Sequence, residues 1–430
     1  MHNTNARAPR PGMPGHPDSL WLVGGHIVDV VAGTVLEGRN VELRGGRIVA
    51  VTPSPAPVGA NVLDIGGRFV VPGLVSVHTH LTIVYPFEDT DLHESSGASA
   101  LRALARAGDA LHAGVTTVRC LDERNDADIV LRAAVAQGWA DAPRIFAAGR
   151  AIGVTNGHGK GLGGINADGH DEFLKAARAS LERGADHVKV FITGGIAHAN
   201  ESYSGAQMTP EEMRAAVRAT REAGGYVVAH AGGGGAISEA IDNGIRHFEH
   251  GYDLDDAVIE KMARARAYLS PTLSVTSSPG WMRAHGFTEW QIELAARVGP
   301  VHLASARRAI ARSVDPADLD GEGIRITVGT DYLPGEPHDG TSCHVREMEY
   351  LEQAGMAPES VLRAGTWEGA RSIGAQALFG AIAEGSAADI VLTIEDPTRT
   401  VSALRTIDTV IQEGRIVRSA LVGSTWGART

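Results

Sequence analysis

PGLVSVHTH, at residues 72–80, opens a section of the chain in which short apolar runs alternate with amphipathic segments. Its apolar and β-branched residues predict a buried strand that ends at two histidines, His78 and His80. Because successive side chains of a strand point to opposite faces, residues two apart project to the same side. A single strand histidine is more often a core residue with its hydrogen bonds satisfied. The pair at the end of an apolar strand instead indicates a metal chelate.

Eight apolar runs of this kind follow one another along the chain. They are VVPGLVSVHTHL (70–81), VTTVRCL (115–121), RIFAAGRAI (144–152), HVKVFIT (187–193), YVVAHA (226–231), HFEHG (247–251), AYLSPTLS (267–274) and ITVGTD (326–331). Amphipathic helical patterns follow them, such as EEMRAAVRATREAG at 211–224. Eight strands with helices over about 300 residues predict an α/β fold, a (β/α)8 TIM barrel at residues 71–375. A doubly wound sheet is the alternative.

The two flanks of this section carry a different pattern. Residues 19–70 hold short β-branched runs separated by GG turns, and β character returns in ADIVLTI (388–394) and TIDTVIQEGRIV (406–417). Neither flank has enough strands to be stable alone. We therefore predict one composite β-sandwich domain made from residues 19–70 and 376–430. Residues 1–18 are rich in Pro, Gly and polar side chains and lack the apolar segment of a secretory signal, which predicts a disordered tail.

The composition narrows the class of partner. The 430 residues include 51 acidic and 39 basic side chains, a formal charge of −12, which disfavours a nucleic-acid surface and favours a small-molecule substrate. We expect no membrane role, because no apolar run approaches the roughly 20 residues of a membrane span. Cys120 and Cys343 are too few for a disulfide framework and fit a reducing cytoplasm. We also expect a homo-oligomer.

Lys189 interrupts the fourth apolar run, HVKVFIT. Its neighbours Val188, Val190 and Phe191 predict a strand buried on both faces, where a bare ammonium group is costly. The lysine must therefore pair with an anion, lose its proton or react with CO2 to give a carbamate, an anionic ligand able to bridge two metals. A side chain that reaches the barrel mouth or pairs with Asp331 is the structural alternative.

Polar residues also end three later runs. His230 closes YVVAH and His250 closes HFEH, each just before a Gly-containing turn. Asp331 closes ITVGTD, at the strand end where barrel enzymes carry catalytic residues. Its carboxylate can bind a metal and accept a proton from a water. His247 is interpreted as structural, because strand parity turns it away from His250.

His158 lies in the glycine-rich loop TNGHGKGLGG (155–164) after the third run. Such a loop either connects two elements or presents an imidazole to a substrate oxygen, and both interpretations stay open. Lys160 of the same loop is interpreted as a solvated charge. His112 and His26 are assigned structural roles.

These motifs resemble the amidohydrolase superfamily. The resemblance rests on PGLVSVHTH for the first strand, VKVFITGG for the lysine, VVAH and FEHG for the paired histidines and VGTD for the aspartate. It extends to GARSIGAQALFGAIAEGSAADIVLTIEDP (369–397), which is similar to the family's passage from the last barrel helix into the returning β domain. A lysine on the fourth strand is typical of the binuclear branch, with its prolidase-like Xaa dipeptidases, carboxypeptidases and ochratoxin-hydrolysing amidases.

The resemblance implies two divalent metal ions bridged by a hydroxide and by a carbamate formed from CO2. The implied ligands are His78, His80 and Asp331 for one metal, His230 and His250 for the other, and carboxylated Lys189 between them. His158 resembles the loop histidine that contacts the scissile carbonyl in prolidase-like relatives. Zinc suits these ligands, and manganese or cobalt would also be accepted. The chain departs from the family after His230, where AGGGG stands in place of a larger residue of the pocket wall.

The implied activity is hydrolysis of the amide bond of dipeptides or N-acyl amino acids. The bridging hydroxide would attack a carbonyl polarised by one metal, and Asp331 would pass a proton to the leaving amine. The alternatives are a cyclic-amide or imidazolone hydrolase with the same site and a mononuclear-type deaminase. A non-catalytic metal-binding protein is expected to have lost a ligand or the aspartate, and this sequence has lost neither.

Overall fold

The structure is a computed structural model that describes residues 19–198 and 200–421. The predicted tail at residues 1–18 lies outside the described residues, as do residues 422–430 of the predicted C-terminal β segment. Within the described ranges, every helix is too short or too polar to cross a bilayer.

Strands and helices are numbered along the chain. The strands are β1 (Leu20–Val23), β2 (His26–Asp29), β3 (Thr34–Leu36), β4 (Asn40–Arg44), β5 (Arg47–Thr52), β6 (Val62–Asp64), β7 (Phe69–Pro72), β8 (Leu74–Thr79), β9 (Val115–Cys120), β10 (Arg144–Phe146), β11 (Ile152–Gly153), β12 (Ile165–Asn166), β13 (Val188–Phe191), β14 (Val227–Gly233), β15 (His247–Asp253), β16 (Tyr268–Ser270), β17 (Arg325–Ile326), β18 (Pro337–His338), β19 (Thr341–Ser342), β20 (Ile390–Thr393), β21 (Ile407–Gln412) and β22 (Arg415–Ser419). The α-helices are α1 (Ser96–His112), α2 (Ala127–Ala136), α3 (His170–Glu182), α4 (Pro210–Glu222), α5 (Gly234–Asp242), α6 (Asp256–Arg264), α7 (Ser274–Ser277), α8 (Pro279–Ala284), α9 (Glu289–Ala311), α10 (Cys343–Gln353), α11 (Pro358–Ala364) and α12 (Trp367–Ser372). Short 3-10 helices cover Phe87–Asp89, Arg124–Asp126 and Val401–Thr406.

Both flanks of the chain contribute to one sheet. A six-stranded sheet has the order β22-β21-β20-β7-β2-β3, so that strands from the two ends of the sequence lie side by side. The junction is antiparallel and pairs Ile390 of β20 with Pro72 of β7. A four-stranded sheet, β5-β4-β1-β6, shares an apolar cluster with it, in which Leu22 and Val41 are buried with Ile411. The two flanks therefore bury their apolar side chains together, which neither could do alone.

The eight predicted apolar runs form parallel strands in two further sheets, and the mixed α/β class is confirmed. One sheet has the order β10-β9-β8 and the other β12-β11-β13-β14-β15-β16-β17. Each of β8, β9, β10 and β13 to β17 is followed by at least one α-helix before the next of these strands or the returning β segment. The eighth strand is shorter than predicted, because regular strand pairing covers only Arg325–Ile326 and not the whole of ITVGTD.

Backbone hydrogen bonds join the edges of these two parallel sheets. The N–H of Val77 in β8 donates to the carbonyl of Val328, just beyond β17, at 2.9 Å. On the other side, the N–H of Asp186, just before β13, donates to the carbonyl of Ala147, just after β10, at 2.7 Å. Gly329 allows the close approach beside β8, because a Cβ at that position would lie 2.4 Å from the Cβ of His78. The chain after β17 is thereby brought against the strand that carries the histidine pair.

Candidate active site

One cavity is lined by every side chain that the sequence singled out for the site. Its volume is about 990 Å³, including its opening to solvent. The predicted residues that line it are His78, His80, His158, Lys189, His230, His250 and Asp331. They come from five strands or the residues that follow them and from one loop, so the fold brings together residues that lie more than 250 positions apart in sequence.

Three donor atoms converge at the end of β8. Nε2 of His78 lies 2.8 Å from Oδ1 of Asp331, and Nε2 of His80 lies 3.1 Å from the same oxygen. The two histidine nitrogens are 3.1 Å apart. A ring nitrogen of His250 lies within 4.8 Å of the donor atoms of His78 and Asp331. Imidazole nitrogens with a carboxylate oxygen form a donor set that fits a divalent transition-metal ion.

The four histidines of the strands or their ends, His78, His80, His230 and His250, each direct one ring N–H away from the cavity. The acceptors are Glu249 Oε2 for His78 Nδ1 at 2.8 Å, the Asp122 carbonyl for His80 Nδ1 at 3.3 Å, the Gly194 carbonyl for His230 Nε2 at 3.0 Å and Thr272 Oγ1 for His250 Nδ1 at 2.6 Å. The proton on one nitrogen leaves a lone pair on the other, which is how metal-binding histidines are usually held. The fold thus leaves the second nitrogen of each ring facing the cavity.

Burial and charge set the protonation of this cluster. Burial lowers the pKa values of His230 and His250 well below the ordinary histidine range, which keeps both rings neutral. Burial alone would raise the pKa of Asp331, but the charge and hydrogen bond of His78 lower it well below its usual value. For His80 burial disfavours the cation, yet Asp331 raises its pKa. Asp331 is therefore an ionised carboxylate in contact with two imidazoles.

The backbone is strained at two of the predicted ligands. His250 has φ 75° and Asp331 has φ 62°, both in the left-handed region that non-glycine residues rarely adopt. At His250 this conformation breaks the strand alternation, so that Glu249 and His250 both contact His78. Such strain persists only where the surrounding structure holds it in place.

Lys189 is 1% exposed, in the middle of β13. Burial lowers its pKa from 10.5 to about 8, although Glu249 and Asp331 oppose the shift. In the described part of the chain no carboxylate forms an ion pair with it, and Asp331 contacts His78 and His80 instead. The structural alternative in which Lys189 pairs with Asp331 is therefore not observed. The lowered pKa leaves a larger share of the Lys189 amine neutral at neutral pH, and the neutral amine is the form that reacts with CO2.

His158 stacks on His230, with their ring centroids 4.0 Å apart. Its Nδ1 lies 2.6 Å from Oε2 of Glu201, which also accepts the N–H of Gly195 at 3.0 Å. Glycine is required at residue 195, because a Cβ there would lie 2.2 Å from Cε1 of His158. The imidazole is thereby held at the cavity rather than left on a free loop.

The rest of the cavity is mostly apolar. We call this part the apolar wall, and it consists of Phe87, Ile196, Tyr252, Val275, Met282, Phe287 and Tyr332. These side chains belong to a cluster that also contains Trp281. A substrate bound at the metal ligands therefore has apolar surface to lie against.

The histidines assigned structural roles lie elsewhere. His247 is stacked between Tyr226 and Tyr268, with centroid distances of 4.3 and 4.7 Å. Nδ1 of His26 lies 2.6 Å from Oε2 of Glu37, and His112 is the last residue of α1. None of these three lines the cavity among the described residues.

Sequence reasoning missed the residues that hold the site in place. Glu249 lies in the FEHG motif, but neighbouring residues of a strand point to opposite faces, so the pattern gave no reason to place it beside His250. Glu201 and Thr272 follow strands at spacings that carry no recognisable pattern. Asp122 directly follows the apolar run VTTVRCL, so its position at a strand end was a signal that could have been used.

Comparisons with known proteins agree with the geometry. A model of the amidohydrolase family matches residues 69–417. Ochratoxinase of Aspergillus niger is 25% identical over 390 residues, which cover 83% of this chain and 77% of that enzyme. Imidazolonepropionase of Shouchella clausii (strain KSM-K16) is 25% identical over 379 residues, covering 83% of this chain and 78% of its own. A crystal structure of an Xaa-Pro dipeptidase with bound methionine in the active site superposes with a TM-score of 0.81, at 26% identity, over 93% of this chain and all of the other.

Proposed function

We propose, since this chain belongs to the amidohydrolase family, that it hydrolyses the amide bond of dipeptides or N-acyl amino acids with two divalent metal ions. Zinc is the metal proposed, because histidine nitrogens and carboxylate oxygens suit it. One observation carries the proposal: four buried histidines each donate one N–H away from the cavity and keep the other nitrogen for a ligand.

The proposed ligands follow the positions of these side chains. They are His78, His80 and Asp331 for one ion, His230 and His250 for the other, and a carbamate on Lys189 between them. When bound, the ions supply a Lewis acid for the carbonyl oxygen and lower the pKa of a water toward neutrality. The burial of Lys189, with its pKa of about 8, supports the carbamate, because the neutral amine is the reacting form.

Proton transfer is the proposed task of Asp331. Its side chain is 28% exposed, and its contacts with His78 and His80 both use Oδ1. An ionised carboxylate at the cavity can accept a proton from the attacking water and deliver it to the leaving amine. His158 would donate a hydrogen bond to the carbonyl oxygen as negative charge develops there.

Peptide-like amides are the proposed substrates for two reasons. The apolar wall offers a surface for apolar side chains or acyl groups, and the cavity is large enough for a small molecule. The related dipeptidase is named for the Xaa-Pro dipeptides on which it acts. We propose that this chain shares that substrate class.

We also infer that the two parallel sheets form one (β/α)8 barrel and that the two mixed sheets form a β-sandwich from residues 19–70 and 376–430. The sequential order of β13 to β17 favours a barrel over a doubly wound sheet, in which the strand order reverses. The hydrogen bonds of Val77 and Asp186 across the sheet edges further support closure.

The test is a substrate screen with metal-depleted and zinc-reconstituted protein. Xaa-Xaa dipeptides and N-acyl amino acids are compared with cyclic amides, an imidazolone and nucleobases, and release of new α-amines is measured beside release of ammonia. We expect α-amine release that depends on added metal. Ammonia release from a nucleobase, or opening of the imidazolone alone, would replace the proposal by the deaminase or the imidazolone hydrolase.

A further inference from the structure

A buried ion pair lies beneath His78. Oε2 of Glu249 lies 2.8 Å from Nδ1 of His78, and Oε1 accepts a hydrogen bond from Nη2 of Arg119 at 2.7 Å. The side chains of all three residues are at most 2% exposed. Nε of Arg119 also donates to the carbonyl of Val77 at 2.7 Å. The guanidinium thus holds both the backbone next to His78 and the carboxylate that meets its ring.

This arrangement determines which nitrogen of His78 carries a proton. The carboxylate of Glu249 is paired with the guanidinium of Arg119 and accepts through both oxygens, so the contact at Oε2 places a proton on Nδ1 of His78. Nε2, which faces Asp331 and His80, is then the nitrogen that can bind a metal in place of a proton shared with Asp331. Arg119 fixes the orientation of the Glu249 carboxylate, because one carboxylate oxygen accepts from Arg119 and the other from His78.

Burying a charge in this way is costly unless the charge is paired and hydrogen-bonded. Three strands contribute to the pairing: β8 carries His78, β9 carries Arg119 and β15 carries Glu249. A purely structural ion pair would not need to meet a histidine at the cavity. The geometry points to a further role.

We propose that Glu249 and Arg119 act as a positioning pair that sets the metal affinity of the His78 site, by fixing the tautomer and the orientation of the His78 ring. Neither residue is proposed to touch the metal or the substrate. The inference rests on the proposed metal centre and adds to it the residues that tune it. Loss of a partner of this kind typically weakens metal binding roughly 10- to 100-fold.

The experiment measures zinc binding to metal-depleted protein in competition with a chromophoric chelator. Glu249→Gln removes the charge but keeps the shape, and its amide cannot accept from both His78 and Arg119. We expect roughly 10- to 100-fold weaker zinc binding. The double variant Arg119→Met/Glu249→Gln frees the amide oxygen to face His78. It should bind zinc at least about threefold more tightly than Glu249→Gln alone, a recovery that a merely structural pair would not show.

Glu368→Gln is the matched control, since Glu368 is a buried glutamate 3.8 Å from Arg325 and does not line the cavity. Its zinc affinity should equal that of the wild type. Equal affinity in Glu249→Gln and wild type would overturn the inference, as would a double variant no better than the single one. A wild-type chain that binds no zinc would instead overturn the proposed function.

A second measurement needs no variant to fold. In zinc-loaded wild-type protein with 15N-labelled histidine, the ring of His78 should carry its proton on Nδ1. An unprotonated Nδ1 on His78 would overturn the inference while leaving zinc binding itself intact.

Discussion

Nδ1 of His158 lies 2.6 Å from Oε2 of Glu201, which is carried by the loop after the next strand of the site. Burial works against the ionisation of Glu201, yet the hydrogen bond and charge of His158 lower its pKa. Because an ionised carboxylate can only accept, Nδ1 is the donor in this contact. Donation from Nε2 of His158 to a carbonyl oxygen then requires a second proton on the ring.

We predict that His158→Ala lowers kcat/KM by roughly 100- to 1,000-fold, corresponding to the loss of one oxyanion donor. The metal content should stay unchanged, because His158 contacts substrate rather than metal in this proposal. Steady-state kinetics and elemental analysis on the same preparation measure both. Lys160→Ala, in the same loop, is the control. An unchanged kcat/KM would remove His158 from the mechanism, and a loss of metal would make it a ligand.

Lys189→Ala is predicted to lower the metal content from two ions per chain toward one, with loss of activity. The variant cannot form the proposed carbamate, which is the anionic bridge between the two cations. Elemental analysis of the purified protein gives the ratio. Lys175→Ala changes an exposed lysine of α3 and should keep both ions. Full metal content and full rate in Lys189→Ala would contradict the binuclear centre.

Asp331→Asn is predicted to lower kcat roughly 100- to 10,000-fold, the usual contribution of a general acid–base group. Most of the metal should remain, because the other proposed ligands are unchanged. Rate and metal content are compared at saturating zinc. A variant that turns over within a few-fold of the wild type would show that the proton passes through another group.

His344 provides a pH-dependent prediction outside the site. It is fully buried on α10, and both ring nitrogens lack a hydrogen-bond partner within the described chain. Burial lowers its pKa from 6.5 to about 3. The unfolded chain therefore takes up a proton near pH 6.5 while the folded chain does not. The contribution of His344 to the free energy of unfolding is therefore fully present above pH 6.5. It decreases as the pH falls toward 3, and the free energy of unfolding is lower by about 2 kcal/mol at pH 5.

His344→Met should remove this loss, so the difference in Tm between pH 7 and pH 5 becomes smaller than in the wild type. Thermal unfolding followed by circular dichroism measures it. His170→Met, a change at a half-exposed histidine, should leave the difference as it is. The same pH difference in His344→Met and wild type would mean that His344 is not the source.

The strands of the site were predictable because parallel strands are apolar runs with a recognisable length. Five of the six proposed ligands were visible as polar residues at or near the ends of such runs, and Lys189 was visible as a charge within one. The role of Glu249 could not be predicted, because side chains alternate along a strand and should place Glu249 and His250 on opposite faces. The positive φ of His250 breaks this alternation. The role of Glu201 could not be predicted either, because its partner His158 is 43 residues away and only the folded loops bring the two together.

The separation of the apolar wall from the interior of the parallel sheets has a consequence for divergence. Met282, Phe287 and Tyr332 pack in a cluster of their own, whereas residues such as Val188 and Ala229 belong to the core between strands and helices. Substitutions that are far apart and share no partners have nearly additive effects on stability. Changes in the wall therefore alter the shape offered to a substrate at a cost in stability that is largely independent of changes in that core. A new specificity can evolve, or be selected in a mutant library, while the proposed metal ligands and the residues that hold them stay unchanged.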